Sequence, residues 1–517
     1  MQQNRGSSPI DRVLRLFADV RTGESGTVLL LALNLFLILT AYYCIKPVRE
    51  ALIGQWPEIK SYMSAGIALM LLGAVPLYGA LANRMPRRRL INVVTIFFAA
   101  CLGFFFIAFQ AGLPLLVQGI VFFLWIGVFN MMVVAQLWSF ANDIYTREEG
   151  ERLFPIVMFG ASFGAIAGSF ISGGIIGWAG VYPPMLLAAA LLMISLIATN
   201  YVDARERRRS EADLPNSLTT GAMPAASQEI PLDEVRKALT GELPVEDVRK
   251  TLTGEISVAE VRRALEEGVE PAEPPEDARA KLEETAQELD LAGVENPFRM
   301  VLRCRYLLMV ALLMLFLNWV NTTGEYILTS VVNISAGEAV ASGQAGGLSE
   351  SEYIGSFWAS FFGVVNTLAL LLQLFFVSRV IKYVGVQIAL LIVPLISLGA
   401  YAAIALVPVL AVVRWGKTAE NATDYSLQNT VRNILFLPCT REQKYKAKQA
   451  IDTFFVRAGD VLQGVLVFVG INFLAMQARH FAAFNVVLVL IWLALAVAIG
   501  REYKRLVASG RPPCVQP

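Results

Sequence analysis

Long apolar runs alternate with short polar intervals along most of this chain. A run of about 18 or more apolar residues is long enough to cross a bilayer as a helix. We therefore predict twelve spanning helices in two groups of six. The predicted spans are 27–53, 61–82, 88–109, 113–141, 154–178 and 183–201, followed by 306–333, 353–378, 386–405, 407–436, 452–476 and 481–500.

Composition indicates the same class of protein. Of the 517 residues, 56% are hydrophobic and 16% are charged, and the mean hydropathy is +0.56. These values are typical of a polytopic all-α membrane protein rather than of a soluble globular protein, and the two groups of six spans would form pseudo-symmetric bundles. Residues 1–26 carry many charges and no apolar core, so no cleavable signal peptide is expected.

Basic residues mark one face of the predicted membrane domain. They occur in the loops after spans 2, 8 and 10 and in the C-terminal tail, whereas the loops after spans 3, 5, 7 and 9 contain no Lys or Arg. Loops rich in Lys and Arg remain in the cytoplasm. Both termini and the central polar segment are therefore predicted to be cytoplasmic.

The two groups of spans resemble copies of one another. Residues 137–152 resemble residues 424–446, with Asn142 opposite Asn429. Each group has six spans, so the copies share one topology and run parallel. This repeat is expected of a major facilitator transporter, whose substrate site lies between the two halves.

A polar segment separates the copies and divides the chain into residues 1–201, 202–299 and 300–517. The segment holds 23 of the 42 acidic and 13 of the 43 basic residues, so its net charge is −10. A 13-residue motif occurs three times over 230–268, and its Val and Leu four residues apart predict three short helices. These helices would dock on the cytoplasmic face or bind a partner. The alternative is an acidic, mostly mobile linker.

Few residues offer metal, redox or catalytic chemistry. The five cysteines are scattered without a CxxC pair, so neither a disulfide framework nor a metal site is expected. His480 is the only histidine, which argues against a histidine-based catalytic centre. The sequence contains no P-loop motif for ATP hydrolysis. We therefore expect a protein that is not an enzyme, has no cofactor or metal, and does not bind nucleic acid.

A stripe of small residues lies in span 5. Gly160, Gly164 and Gly168 recur at intervals of four. This spacing lets helix backbones approach closely. A packing face is therefore favoured over a binding face.

The segment GALANRMPRRR (79–89) resembles the loop signature of the major facilitator superfamily. That signature joins spans 2 and 3 and latches the cytoplasmic gate. Gly79 and Arg88 fit its pattern, whereas Asn83 replaces the acid. The resemblance implies a cytoplasmic gate here. The residues assigned to this gate are Arg84, Arg88, Arg379 and Asp143.

A narrower resemblance is carried by CTREQKYKAKQAIDTFFVRAGD (439–460). It is similar to a segment of the nucleotide transporter family, the ATP/ADP translocases of plastids and intracellular bacteria. Lys446, Asp452 and Arg457 match that segment, whereas Asp460 stands where the translocases tend to have lysine. The resemblance implies an ATP-binding carrier, similar to an ATP:ADP antiporter, in a bacterial inner membrane.

Span 10 carries polar residues at intervals of three and four, which place them on one helical face. They are Arg414, Lys417, Glu420 or Asn421, Asp424, Gln428 and Arg432. Lipid would make such a stripe costly, so it must face a cavity or another polar helix. We expect a water-accessible translocation path, with a closed salt-bridge network as the alternative. Span 11 adds Arg457 and Asp460.

Charges also interrupt the end of span 1, where YYCIKPVREALI (42–53) contains Lys46, Arg49 and Glu50. Lys46 and Glu325 each lie 19 residues into their predicted spans, which is ~28 Å along a helix. A cation would then face an anion across the cavity. We predict that this pair forms when the outer gate closes and breaks when cargo competes. The alternative is a local pair of Lys46 with Glu50.

These residues suit a monomeric secondary transporter in the lipid bilayer. It would work by alternating access and carry or exchange an anionic, nucleotide-like solute. One alternative is a proton-coupled carrier of another organic solute, in which Glu325 or Asp424 titrates. Another is a non-transporting scaffold or receptor that acts through the repeats at 230–268. The predicted substrate-binding or gating residues are Lys46, Arg49, Glu325, Arg414, Lys417, Asp424, Arg432, Arg457 and Asp460.

Overall fold

The computed structural model describes residues 21, 24–144, 147–213, 297–440, 443–510 and 513–514. Within these ranges the regular secondary structure is helical. Residues 1–205 and 296–517 group into one unit, and residues 206–295 form a second. The helices predicted for the repeats at 230–268 lie outside the described residues.

The described chain contains a long helical segment at each of the twelve predicted spans. The first six are α1 (Ser25–Ile53), α2 (Pro57–Arg84), α3 (Arg87–Gln110), α4 (Leu115–Ile144), α5 (Arg147–Ala179) and α6 (Pro183–Asp213). A short helix, Pro297–Arg303, precedes α7 (Arg305–Ala341), α8 (Glu350–Val377) and α9 (Val386–Leu406). The last three are α10 (Leu410–Thr423, Asp424–Gln428 and Asn429–Ile434), α11 (Lys448–Asn472) and α12 (Ala478–Ser509).

Ten of these helices are long and apolar enough to cross a membrane, counted over the described residues. Together with the helical content, this finding confirms the prediction of a polytopic all-α protein. α10, which carries the polar stripe, is not among the ten. α1 continues through Pro47, which is buried inside the helix, because neighbouring helices tolerate and cover such a break in a membrane protein.

Each half of the membrane part has its own hydrophobic core. One core contains buried apolar residues between Val28 and Val202, and the other contains those between Met300 and Ile499. The division at residues 201 and 300 stays a prediction. Each bundle can keep its internal contacts while the surface between the bundles changes.

The halves meet through α1, α2 and α5 on one side and α7, α8 and α11 on the other. Gln55 Nε2 donates to Ser351 Oγ at 3.2 Å, and Asn333 Nδ2 donates to the Gln55 carbonyl oxygen at 3.2 Å. Gln463 Nε2 donates to Ser61 Oγ at 3.0 Å. These bonds lie near the C-terminal end of α1 and the N-terminal end of α2. The sequence predicts that this end is the outer one.

Cys304 and Cys514 form a disulfide, with their Cα atoms 5.5 Å apart. This pairing corrects the expectation that the scattered cysteines form no disulfide. Cys304 immediately precedes α7 and Cys514 lies beyond α12. The two cysteines are 210 residues apart in the sequence, so spacing gave no sign of the pairing and only the folded bundle brings them together. Cys44, Cys101 and Cys439 are free thiols.

Candidate functional site

The C-terminal end of α1 carries a buried ion cluster. Glu50 is 0% exposed. Arg49 Nε donates to Glu50 Oε1 at 3.0 Å, and Lys60 Nζ lies 2.6 Å from Glu50 Oε2. A buried carboxylate is costly unless it is paired, so these two cations of α1 and α2 stabilise its ionised form.

Lys60 also connects the two halves. Its ammonium donates to Thr329 Oγ1 of α7 at 2.9 Å. It also lies 4.6 Å from the ring centroid of Trp358 in α8. Sequence reasoning missed Lys60, because a lysine one residue before a predicted span is typical of an interfacial anchor. The sequence contained one signal for this pair: Lys60 carries the charge opposite to that of Glu50, and only a short loop separates their helices.

Lys46 forms neither of its predicted ion pairs in this conformation. Glu50 is occupied by the cluster described above. Glu325 lies within electrostatic reach of Lys46 but does not pair with it. Instead, Lys46 Nζ lies 3.9 Å from the ring centroid of Phe362 and 5.2 Å from that of Tyr43. These cation–π contacts are favourable, but they leave the ammonium without a counter-ion among the described residues.

Two residues of the polar stripe in α10 belong to a closed network inside the second half. Lys417 Nζ lies 2.7 Å from Glu420 Oε2 and donates to Asn321 Oδ1 at 2.8 Å. Glu420 accepts from Tyr401 at 2.8 Å and from Ser397 at 3.3 Å. The Lys417 and Glu420 side chains are 1% and 3% exposed. Lys417 therefore belongs to a closed salt-bridge network, the alternative predicted from the sequence. In this structure it does not line a water-accessible path.

The rest of the stripe has different surroundings. Arg414 donates to Ser360 Oγ of α8 at 3.0 Å. Arg432 donates to Asn429 Oδ1 within α10 at 2.8 Å. The Asp424 carboxylate makes no hydrogen bond or ion pair with any described residue. The stripe therefore contains a paired part and an unpaired acid.

A π turn over Asp424–Gln428 interrupts α10. Single π turns inside helices are rare and frequently occur at functional sites. Tyr425 in this turn is 37% exposed. It lies within electrostatic reach of Tyr43 in α1 and of Glu325 in α7. The turn packs against α8 and α9 of the second half.

Asp460 holds α11 against α7. Its Oδ1 accepts from Asn318 Nδ2 at 2.7 Å, and its Oδ2 accepts from Arg457 at 3.0 Å. Asp460 is 4% exposed, whereas the Arg457 side chain is 42% exposed. Asp460 thus serves helix packing, and Arg457 remains accessible beside it.

The predicted cytoplasmic gate lies apart from these charged clusters. Arg84, Arg88 and Arg379 are exposed. Arg88 donates to Asn200 Oδ1 at 2.9 Å, a partner within its own half. The side chain of Asp143 lies outside the described residues, so the gate stays a prediction.

Comparisons with known proteins identify a family of transporters. The profile of the Major Facilitator Superfamily matches residues 26–437. No curated protein matches the chain. Among solved structures, a POT family transporter in complex with 5-aminolevulinic acid is 14% identical with a TM-score of 0.53, and the match covers 93% of this chain and 96% of that one.

Two further solved structures show the same fold. A variant of the nucleoside transporter NupG is 14% identical with a TM-score of 0.50, covering 93% of this chain and 99% of that one. A bacterial homologue of the iron transporter ferroportin is 13% identical with a TM-score of 0.52, covering 92% of this chain and 98% of that one. At these identities the likeness concerns the fold alone.

Proposed function

Because the chain belongs to the Major Facilitator Superfamily, we propose that it carries an anionic, nucleotide-like metabolite by alternating access. The protein is a multi-pass membrane transporter of that superfamily's type. Exchange of one such anion for another is the proposed mode. The proposed setting is the inner membrane of a bacterium, with both termini in the cytoplasm.

The observation that carries the cargo proposal is the unpaired ammonium of Lys46. It lies between α1 and α8, against the rings of Tyr43 and Phe362. A lysine without a counter-ion in an apolar surrounding favours an anion as its partner. Aromatic faces beside it suit the ring system of a nucleotide. Arg457, half-exposed on α11, has its charge paired with Asp460 but offers further N–H donors to a polar group of the cargo.

Transport by purified protein in proteoliposomes tests this proposal. Vesicles loaded with an unlabelled nucleotide should take up the labelled nucleotide by counterflow, and vesicles without protein should not. Lys46→Gln should lose most of this uptake while the protein still inserts. If no nucleotide is carried and none stabilises the purified protein, the nucleotide proposal is wrong.

A second candidate is proton-coupled transport, which the unpaired carboxylates favour. Neither Glu325 nor Asp424 pairs with a described residue through its carboxylate. A carboxylate without a counter-ion can bind a proton as part of a transport cycle. Uptake that needs a pH gradient, and that becomes independent of it in Glu325→Gln or Asp424→Asn, would support coupling. Equal uptake with and without the gradient would support exchange.

A further inference from the structure

We infer that the cargo's anionic group binds between α1 and α8, at a subsite formed by Lys46, Tyr43, Phe362 and Asn366. We further infer that the subsite accepts one phosphate or one carboxylate rather than a polyphosphate. The inference rests on the proposed function and deepens it, because it specifies the charge of the cargo.

The four side chains form one contiguous cluster. Phe362 and Asn366 are four residues apart in α8 and therefore share a helical face. The Tyr43 ring centroid lies 6.3 Å from that of Phe362, and the Asn366 amide lies next to Tyr43. Lys46 contacts the same two rings. The subsite thus has aromatic walls from both halves, with a cation and an amide beside them.

Both polar groups of the subsite have unused hydrogen-bond donors. Asn366 is 9% exposed, and its Nδ2 has no hydrogen-bond partner of acceptable geometry. The Lys46 ammonium has ring contacts but no acceptor among the described residues. A buried donor without an acceptor, such as the Asn366 amide, costs free energy, and the half-buried Lys46 ammonium lacks a counter-ion. The oxygen atoms of one anionic group would satisfy both donors at once.

The charge around the subsite limits the anion to a single group. Lys46 is the only cation among the four side chains, and Arg49 and Lys60, which also lie within electrostatic reach of it, already share the Glu50 carboxylate. The carboxylate of Glu325 is within electrostatic reach of Lys46. Arg457 is already paired with Asp460. A triphosphate would therefore bring charges that this region does not neutralise, and an unpaired charge away from water is costly.

Ligand-induced thermal stabilisation of the purified full-length protein tests the inference. The probes are adenosine, AMP, ATP and nicotinate, which differ in charge and in the type of anion. AMP should stabilise the protein at lower concentrations than ATP or adenosine. Asn366→Leu and Lys46→Gln should each weaken AMP binding on the order of tenfold, because the first removes a hydrogen bond to a charged group and the second removes the charge that pairs with the anion.

Thr367→Val is the matched control, one residue along α8. The Thr367 hydroxyl already donates to the Gly363 carbonyl oxygen at 2.8 Å, so this variant should bind AMP as the wild type does. Gel filtration and the unliganded thermal midpoint report whether each variant folds. If Asn366→Leu fails to fold, Asn366→Ala, a smaller side chain without a hydrogen-bond donor, replaces it.

The outcomes separate this inference from the proposed function. If ATP binds as tightly as AMP, or if Asn366→Leu binds AMP normally, the single-anion subsite is wrong and the nucleotide proposal stands. If nicotinate binds in a Lys46-dependent way and no nucleotide binds, the subsite stands and the nucleotide proposal is wrong. Binding of none of the four probes overturns both.

Discussion

Charged side chains within the membrane part differ mainly in whether they have a counter-ion. Lys417 and Glu420 are buried together and share further hydrogen bonds with α7 and α9. Lys46 is half-buried and has aromatic rings where an acid was predicted. A buried charge with a partner is a structural element, whereas a buried charge without one can gain a partner from a ligand.

Loss of the Lys417 ammonium should destabilise the second half. We expect Lys417→Met to lower the free energy of unfolding by about 3–5 kcal/mol, because Glu420 would stay buried without a counter-ion. The thermal midpoint of the purified protein in detergent measures this change. The double variant with Glu420→Gln should recover part of the loss. Normal stability of Lys417→Met together with abolished transport would instead assign Lys417 to the cargo path.

Glu24, which directly precedes α1, provides a test by pH. Its Oε1 lies 3.0 Å from Arg152 Nη2 of α5, and its Oε2 accepts from the Arg21 backbone N–H at 2.8 Å. Burial raises the pKa of Glu24, but these bonds outweigh burial and leave the pKa below its ordinary value of 4.5. The pair therefore stabilises the fold above the unfolded-state pKa, and this contribution is lost as the pH falls through the folded-state pKa.

The thermal midpoint of the wild type should therefore fall more steeply in acid than that of Glu24→Gln. Near neutral pH the wild type should be the more stable of the two, because only it has the ion pair. A scan of the thermal midpoint against pH for both proteins measures the difference. Parallel curves would show that the Glu24–Arg152 pair contributes nothing to stability.

Between helices, α5 packs against the backbone of α1. A Cβ atom at Gly160, Gly164 or Gly168 would collide with carbonyl oxygens of α1. This finding confirms the prediction that the stripe of small residues is a packing face. Residues at intervals of four share one helical face, so the pattern identified the face. It did not identify α1 as the partner.

An added methyl group at the centre of this stripe should be destabilising. We expect Gly164→Ala to cost about 1–3 kcal/mol, because the α1 backbone at Phe36 has no room to yield. Gly174→Ala in the same helix is the control, since a Cβ there meets nothing within 4 Å. The control should be neutral or more stable by up to about 1 kcal/mol. Equal thermal midpoints for the two variants would contradict the packing role.

The two halves are held together at the predicted outer end by Lys60. This lysine of the first half pairs with Glu50 of its own half and reaches Thr329 and Trp358 of the second. Separation of the halves at this end would leave the ion pair intact but break the contacts with α7 and α8. The contacts of Lys60 therefore favour the conformation that is closed at this end.

Removal of the Thr329 hydroxyl should shift the protein towards opening at the predicted outer end. We expect Thr329→Val to raise the open population on the order of tenfold, because a hydrogen bond to a charged group is lost only from the closed state. A cysteine introduced at Ser351, which accepts from Gln55 across the halves, reports opening through its rate of labelling by a thiol reagent.

Ser330→Ala is the matched control for this measurement. The Ser330 hydroxyl donates to the Tyr326 carbonyl oxygen within α7 and makes no contact with Lys60. Its loss should leave the labelling rate of the Ser351→Cys reporter unchanged. A labelling rate in Thr329→Val equal to that in the control would show that Lys60 does not stabilise closure.

The sequence by itself determined the class of protein and the positions of the helical segments. These features follow from the length of apolar runs and from helical periodicity, which are local properties of the chain. The positions of Lys46, Arg49, Glu50, Lys417 and Glu420 as charges in an apolar surrounding were equally visible. The number and spacing of these charges followed from the sequence.

Only the tertiary structure decided which partner each charge has. Lys60 replaced Lys46 as the partner of Glu50, and Tyr401 and Asn321 closed the network around Lys417 and Glu420. The disulfide between Cys304 and Cys514 could not be predicted from the sequence either. Pairing depends on how each helix is rotated and which neighbour it meets. Helix rotation and neighbours are set by packing between residues far apart in the chain. A single sequence contains no local pattern that predicts them.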